Sequence, residues 1–125
     1  MDPYEFEITV TEDAGFLRVT LSGAATRVRL HRALERIIDE AKSKNNWRLL
    51  IDIMAVPPPI STVDKYETGV EVAHLADRRL RMAVVGRVEI VDHFFETVAR
   101  NRGASVRAFT EEAEALDWLR EGSRN

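Results

Sequence analysis

Cysteine is absent from all 125 residues. That excludes disulfide bridges, zinc–thiolate sites, iron–sulfur centres and a cysteine nucleophile. Lysine is scarce, with fifteen of the eighteen basic side chains being arginine, a bias of composition and not a sign of function. Charge is nearly balanced at a net −3, so nucleic-acid binding through a broadly basic surface is not expected. Long apolar runs are missing as well. The most apolar stretch, Leu49 to Ile60, contains Asp52 and three prolines and falls well short of the ~20 residues of a membrane-spanning helix. The opening Met-Asp-Pro-Tyr-Glu-Phe-Glu is acidic and lacks the basic-then-apolar order of a signal peptide. These absences together predict a cytoplasmic protein without a membrane span.

What is present is globular: 45% hydrophobic and 31% charged residues. The length suits one domain over residues 1–125, long enough to bury about two-thirds of its unfolded surface. No internal repeat or low-complexity tract breaks it. Tyr4, Phe6, Ile8 and Val10 alternate with Glu5, Glu7 and Thr9, the period-two pattern of a half-buried strand whose open face carries acids, as an edge strand should. Asp13-Ala14-Gly15 supplies turn chemistry, and Phe16 to Ser22 alternates again, completing a hairpin.

Thr26 is placed to cap a helix running to about Ser43, with Leu30, Ala33, Leu34, Ile37, Ile38 and Ala41 as its apolar stripe. Trp47 to Met54 is almost continuously apolar, as a strand covered on both faces would be. A second helix is expected from Ser61 to about Asp77 with Val63, Tyr66, Val70 and Ala73 inward. Leu80 to Val85 is a further buried strand. A third helix is expected from about Val88 to Arg102, with Val91, Phe94, Phe95, Val98 and Ala99 inward and Gly103 after its last turn. Val106 to Phe109 is a short strand, and Thr110 stands to cap a last helix carrying Leu116, Trp118 and Leu119. Strands alternating with helices require crossovers. The fold class is therefore α/β: a five-stranded mixed, mostly parallel sheet, an N-terminal hairpin then β-α-β-α-β-α, with four helices, and only the first strand antiparallel to its neighbour.

Phe16-Leu17-Arg18-Val19-Thr20-Leu21-Ser22-Gly23, Leu49-Leu50-Ile51-Asp52 and Arg81-Met82-Ala83-Val84-Val85-Gly86, followed by Val106-Arg107-Ala108-Phe109 and Glu114 to Leu119, resemble in order and spacing the STAS-like, or SpoIIAA-like, family of bacterial domains, in its less characterised branch. The resemblance covers nearly the whole chain and implies the fold just described. In the signalling members an Asp-Ser-Ser-Gly motif opens the second helix and a partner kinase phosphorylates its serine. The matching stretch here is Pro59-Ile60-Ser61-Thr62-Val63-Asp64. Ser61 and Thr62 fall near the acceptor position, while the aspartate and glycine of the motif are missing.

Several residues are candidates for chemistry. Ser61 reads as an N-cap with Asp64 completing an approximate capping box, and the same position, at a helix N-terminus, tolerates an added phosphate. Asp52, near the carboxyl end of a central strand, reads either as a contact for a ligand or partner or as an acceptor for backbone N–H groups of the loop after Met54. Pro57-Pro58-Pro59 stiffens the next loop and either rigidifies a crossover or presents Ile60 to a partner. Arg78, Arg79, Arg81 and Arg87 form either a basic patch or arginines set opposite Leu80 and Met82 by alternation. Glu71-x-x-His74, with Glu67 one turn before, has a di-iron spacing but no second copy, so it reads as a solvated acidic face. His31 is one turn from Glu35. No Gly-x-Ser-x-Gly elbow, Ser-His-Asp order or nucleotide-binding glycine loop is present.

The expected function is a non-enzymatic regulatory or protein-interaction domain whose partner meets the start of the second helix, with no cofactor and no metal. A carrier of a small apolar ligand or lipid is the alternative, since the STAS-like fold resembles that of some lipid-transfer domains. An enzyme would need a cleft that shifts the pKa of Asp52 or of the second helix's acids. An apolar helix face or the hairpin edge offers a route to a homodimer.

Overall fold

The computed structural model describes residues 6–76 and 78–121. Tyr4 of the expected first strand and Asp77, the expected end of the second helix, lie outside them. The hairpin is β1 (Glu7–Asp13) and β2 (Phe16–Ser22), and its turn places Gly15 at φ +83°, where a side chain would be strained. There follow α1 (Arg27–Lys44), β3 (Arg48–Ala55), α2 (Thr62–Leu75), β4 (Arg81–Val85), α3 (Phe94–Asn101), β5 (Val106–Phe109) and α4 (Glu112–Glu121). The five strands form one sheet in the order β1-β2-β3-β4-β5. β1 is antiparallel to β2, and every later pair is parallel, as the sequence pattern predicts.

The parallel strands advance in one direction across the sheet. Crossovers of a single hand then place every connecting helix on the same face. Accordingly α1, α2 and α3 cover one face, packing Ile37, Val72 and Ala99 on Leu49, Ile51, Met82 and Val106. The chain after β5 turns to the other face, where Ala115 and Leu119 of α4 close over Phe16, Leu50, Ala83 and Val85. Asn45 ends α1 in the left-handed conformation, and Gly103 follows α3 at φ +96°, both ordinary helix stops.

Two arginines that open central strands hold the end of α4. Arg81 donates to the Trp118 carbonyl from Nε at 3.1 Å and from Nη2 at 2.6 Å, and its guanidinium lies 3.8 Å over the Trp118 ring. Arg48 donates to the Leu119 carbonyl. These carbonyls belong to the last turn, which lacks intrahelical donors and carries the negative end of the dipole. Burial, and then the neighbouring Arg48, lower the pKa of Arg81. The expected arginine cluster is thus divided. Arg79 lies over Trp47 and donates to Asn45, whereas Arg87, beyond the opposite end of β4, donates to the Met54 carbonyl at 3.2 Å.

Several expectations are corrected. The third helix starts at Phe94, not at Val88. Ile90 and Val91 instead form a turn on the Arg87 carbonyl, His93 is left-handed at φ +66°, and Asp92 accepts the Phe94 N–H, so regular helix cannot extend backwards through His93. Phe94 itself is exposed, not inward. α2 is rotated from its expected face: Thr68, Gly69 and Val72 are buried and Ala73 packs partly buried against the core as expected, while Val63 and Tyr66 point outward. Of the two readings of the proline run, the one that presents Ile60 to a partner does not fit, since Ile60 packs half-buried against the core. Thr110 stands two residues before α4, too early to be its cap.

Gly69 explains the rotation of α2. A β-carbon there would lie 3.0 Å from Val98 Cγ1 and 3.1 Å from the Phe95 carbonyl oxygen, so α2 and α3 approach through the one side of α2 that has no side chain. Gly69→Val is expected to lower unfolding stability by roughly 1–3 kcal/mol through overpacking, and Gly69→Ala by less, as measured by urea denaturation.

Candidate functional site

The first turn of α2 is built by Ser61. Its backbone is extended at φ −65°, ψ 152°, and its Oγ accepts the Asp64 N–H at 3.0 Å, so one of the free donors of the helix start is satisfied by the cap. Thr62 is the first helical residue, and both hydroxyl side chains are exposed. The remaining N–H groups of this turn and the positive dipole end make the position hospitable to negative charge.

Asp52 lies near the end of β3, half-buried, and its Oδ1 accepts the Met54 N–H at 2.9 Å. By strand alternation it shares the face of Leu50, the side that α4 covers, whereas Ser61 and Thr62 open a helix packed on the other side. No hydrogen bond or ion pair among the described residues joins Asp52 to either hydroxyl, so the three sequence candidates do not form one cluster.

What gathers at the carboxyl ends of the parallel strands is apolar surface. Among the described residues, the exposed large hydrophobics are Val28, Met54, Val63, Tyr66, Val88 and Phe94, with Val63 at 62% and Tyr66 at 44%. Val28 is in the first turn of α1, Met54 near the end of β3, Val63 and Tyr66 in the first turns of α2, Val88 just past β4, and Phe94 at the start of α3. Arg102 lies 5.4 Å from the Tyr66 ring centroid and donates to its hydroxyl at 3.2 Å, fixing the ring on the surface.

Charged groups buried beside this edge were not legible in the sequence. Lys65, with a side chain 11% exposed, donates from Nζ to the Ile90 carbonyl and to Asp92 Oδ2, each at 2.9 Å. The hydrogen bond from Lys65 holds Asp92 below the usual aspartate range. Glu96 is buried. Its Oε1 meets His93 Nδ1 at 2.6 Å and its Oε2 accepts the Ala108 N–H of edge strand β5, a donor the sheet leaves unpaired. On the α1 side, Glu71 is only 13% exposed and pairs with Arg27 at 2.6 Å and with His31, while His31 Nε2 also lies 3.5 Å from Glu35. Glu71 therefore belongs to the α1–α2 contact, not to a solvated acidic face. The only signal available was the pairing of opposite charges on helices forty residues apart, which one sequence does not reveal.

Fold and site together define an α/β module with a three-helix face, a capped and exposed helix start, and apolar side chains around it. The SpoIIAA-like family profile matches residues 16–120, and the chain belongs to that family. Among solved structures, it is similar to an anti-sigma factor antagonist from Mycobacterium paratuberculosis, with a TM-score of 0.67 and 19% identity over 94% of this chain and 97% of that one. It is also similar to an uncharacterised protein with a SpoIIAA-like fold from Shewanella loihica PV-4, with a TM-score of 0.53 and 16% identity over 91% and 93% of the two chains. Both likenesses are of fold. No curated protein matches the chain in sequence. No helix among the described residues is long and apolar enough to cross a membrane.

Two outcomes follow from the site. Ser61→Ala is expected to lose about 1 kcal/mol of stability, and Ser61→Asp less than half of that, because aspartate also caps; chemical denaturation distinguishes them. Asp92 has a lowered pKa in the folded state, so its contribution is present above the ordinary aspartate value of 3.8 and is lost as pH falls through the lower folded value. The stability difference between the wild type and Asp92→Asn, measured by urea denaturation across pH, should be constant near neutrality and vanish at the acid end of that window.

Proposed function

We propose that this chain is a regulatory, non-enzymatic protein-interaction domain, working in the cytoplasm, whose partner docks on the carboxyl edge of the sheet around the start of α2. The observation that carries the reading is the placement of the exposed large hydrophobic residues: Val28, Met54, Val63, Tyr66, Val88 and Phe94 all stand at that edge or within two turns of it. Apolar side chains left in water at one end of a domain favour a partner surface, and aromatic anchors such as Tyr66 are the usual centres of binding energy. The name of a structural neighbour, an anti-sigma factor antagonist, fits a protein partner.

Ser61 or Thr62 is the position at which this docking would be controlled. A phosphate added there keeps the favourable dipole and adds nearly two negative charges beside Val63, which alters an apolar interface without unfolding the helix. The domain lacks the flanking aspartate and glycine of the signalling motif, so a kinase would have to recognise it by the surrounding surface and not by that tetrapeptide. A lipid carrier is the weaker reading. The cavity beneath α2 is about 100 Å³, and since a cavity of about 150 Å³ holds benzene, an acyl chain has no room.

The test is quantitative. Tagged wild type, Val63→Asp and Ser61→Asp are used as bait in extracts of the source cells, and each enriched protein is then purified and titrated against all three. A partner that binds wild type and loses at least tenfold in affinity to Val63→Asp, with unfolding midpoints unchanged, supports the reading. Equal affinity for wild type and Val63→Asp would place the interface elsewhere and overturn it.

A further inference from the structure

The amino edge of the sheet, opposite the start of α2, carries an open groove. Lys44, Arg48, Arg78, Arg79, Arg81 and Arg107 line it, and Glu121 is its one acid among the described residues. A second depression shares Arg81, Ser105, Arg107 and Trp118 with it and adds Arg100. Seven of the chain's eighteen basic side chains thus meet one of its twenty-one acidic ones, in a molecule of net charge −3. Strand register explains the gathering. Arg48 and Arg81 are partners across β3 and β4, and Arg107 is the partner of Ala83, two residues along β4 from Arg81. Alternation then puts all three on the α4 face of the sheet, on neighbouring strands roughly 4.8 Å apart. Burial, and then Arg48 and Arg107, lower the pKa of Arg81 against the opposing pull of Glu121.

Structural contacts account for only part of this charge. Arg48 and Arg81 hold the last carbonyls of α4, and Lys44 pairs with Glu40. Arg78, Arg100 and Arg107 are exposed and make no hydrogen bond or ion pair with a described residue. Like charges gathered without counter-ions raise the energy of the free domain, and an anion seated among them relieves it. A guanidinium matches a carboxylate in a two-pronged geometry. The span limits the occupant: three strands cover about 10 Å at the backbone, the reach of about three extended residues. Both aromatic rings of the groove are taken, since Trp47 is buried with Arg79 over it and Arg81 covers Trp118. No free face is left on which a base would stack. The side chains outside the groove are predominantly acidic, which repels a long polyanion.

We propose that this edge binds a short acidic peptide segment of a partner protein, with about three carboxylates seated along Arg48, Arg81 and Arg107 and with Arg78 and Arg100 beside them. The site does not depend on the partner reading above, because α2 opens at the other edge of the sheet, where Val63 and Tyr66 are exposed.

The probe is a hexaglutamate peptide, titrated into the purified chain and followed by amide chemical shifts and calorimetry, beside hexaglutamine, inorganic triphosphate and hexathymidylate. The expected result is hexaglutamate binding with shifts at Arg81, Ser105, Arg107 and their neighbours, none there with hexaglutamine, and affinity that falls as salt rises. Arg107→Glu and Arg78→Glu reverse exposed charges that make no hydrogen bond, and each should weaken hexaglutamate about threefold or more. Arg32→Glu makes the same change of charge on the exposed side of α1, outside the groove, and should keep the affinity within about a factor of two. Unchanged urea midpoints show that a loss of binding is not a loss of fold, and Arg107→Gln carries the same comparison if the reversal unfolds the chain. No shift in the groove with millimolar hexaglutamate, or equal losses for Arg32→Glu and Arg107→Glu, would overturn the proposal. So would tighter binding of triphosphate or hexathymidylate than of hexaglutamate at the same residues.

Discussion

Three parallel connections made in succession across one sheet leave the molecule little choice. With each crossover of the same hand, α1, α2 and α3 must share a face, and the apolar stripes of α1 and α3 and the Val72 side of α2 are buried together there. The helices all begin at the carboxyl edge of the sheet and all end at the opposite edge. One end of the domain therefore collects helix starts, with their free N–H groups, and the other collects helix ends, with their free carbonyls. The rest of the surface chemistry sorts itself by that division: Ser61 and the exposed apolar residues at the first end, Arg48 and Arg81 at the second.

The second end shows how charge is used in a chain with so few lysines. A guanidinium delivers several donors in a fixed plane and can lie flat on an aromatic ring at the same time. Arg81 does both on Trp118, donating to its carbonyl and covering its ring. Lysine offers a point charge on a flexible stem and could not make the two contacts together. The arginines of this edge thus have structural work that the sequence alone did not disclose.

The strands and the caps of α1 and α2 were legible because each rests on local information: alternation for β1 and β2, continuous apolarity for β3 and β4, and a hydroxyl before a helix at Thr26 and Ser61. What was misread depends on contacts distant in sequence. Val88 to Val91 has helical spacing, yet Asp92 and His93 start α3 at Phe94, six residues after its expected start at Val88. α2 is apolar on more than one side, so its stripe could not choose its own face; the choice was made by the absence of a side chain at Gly69 and the closeness of Val98. Glu96 and Lys65 carry no local signal of burial, since the Ala108 N–H and the Ile90 carbonyl that hold them come from other segments. Of the candidate site, Ser61 and Thr62 were legible as a helix start, but not the apolar ring of residues around them, which five separate segments supply.

The far face of the sheet has a different character. A single ten-residue helix, α4, shields Leu50, Ala83 and Val85 there, clamped at its last turn by two arginine side chains. A protease that nicks the segment between Phe109 and Glu112, or an affinity tag that crowds Trp118 and Leu119, would strip that shield while leaving the three-helix side intact. The uncovered strands would then present a sticky apolar plate, and handling of the protein should respect that end first.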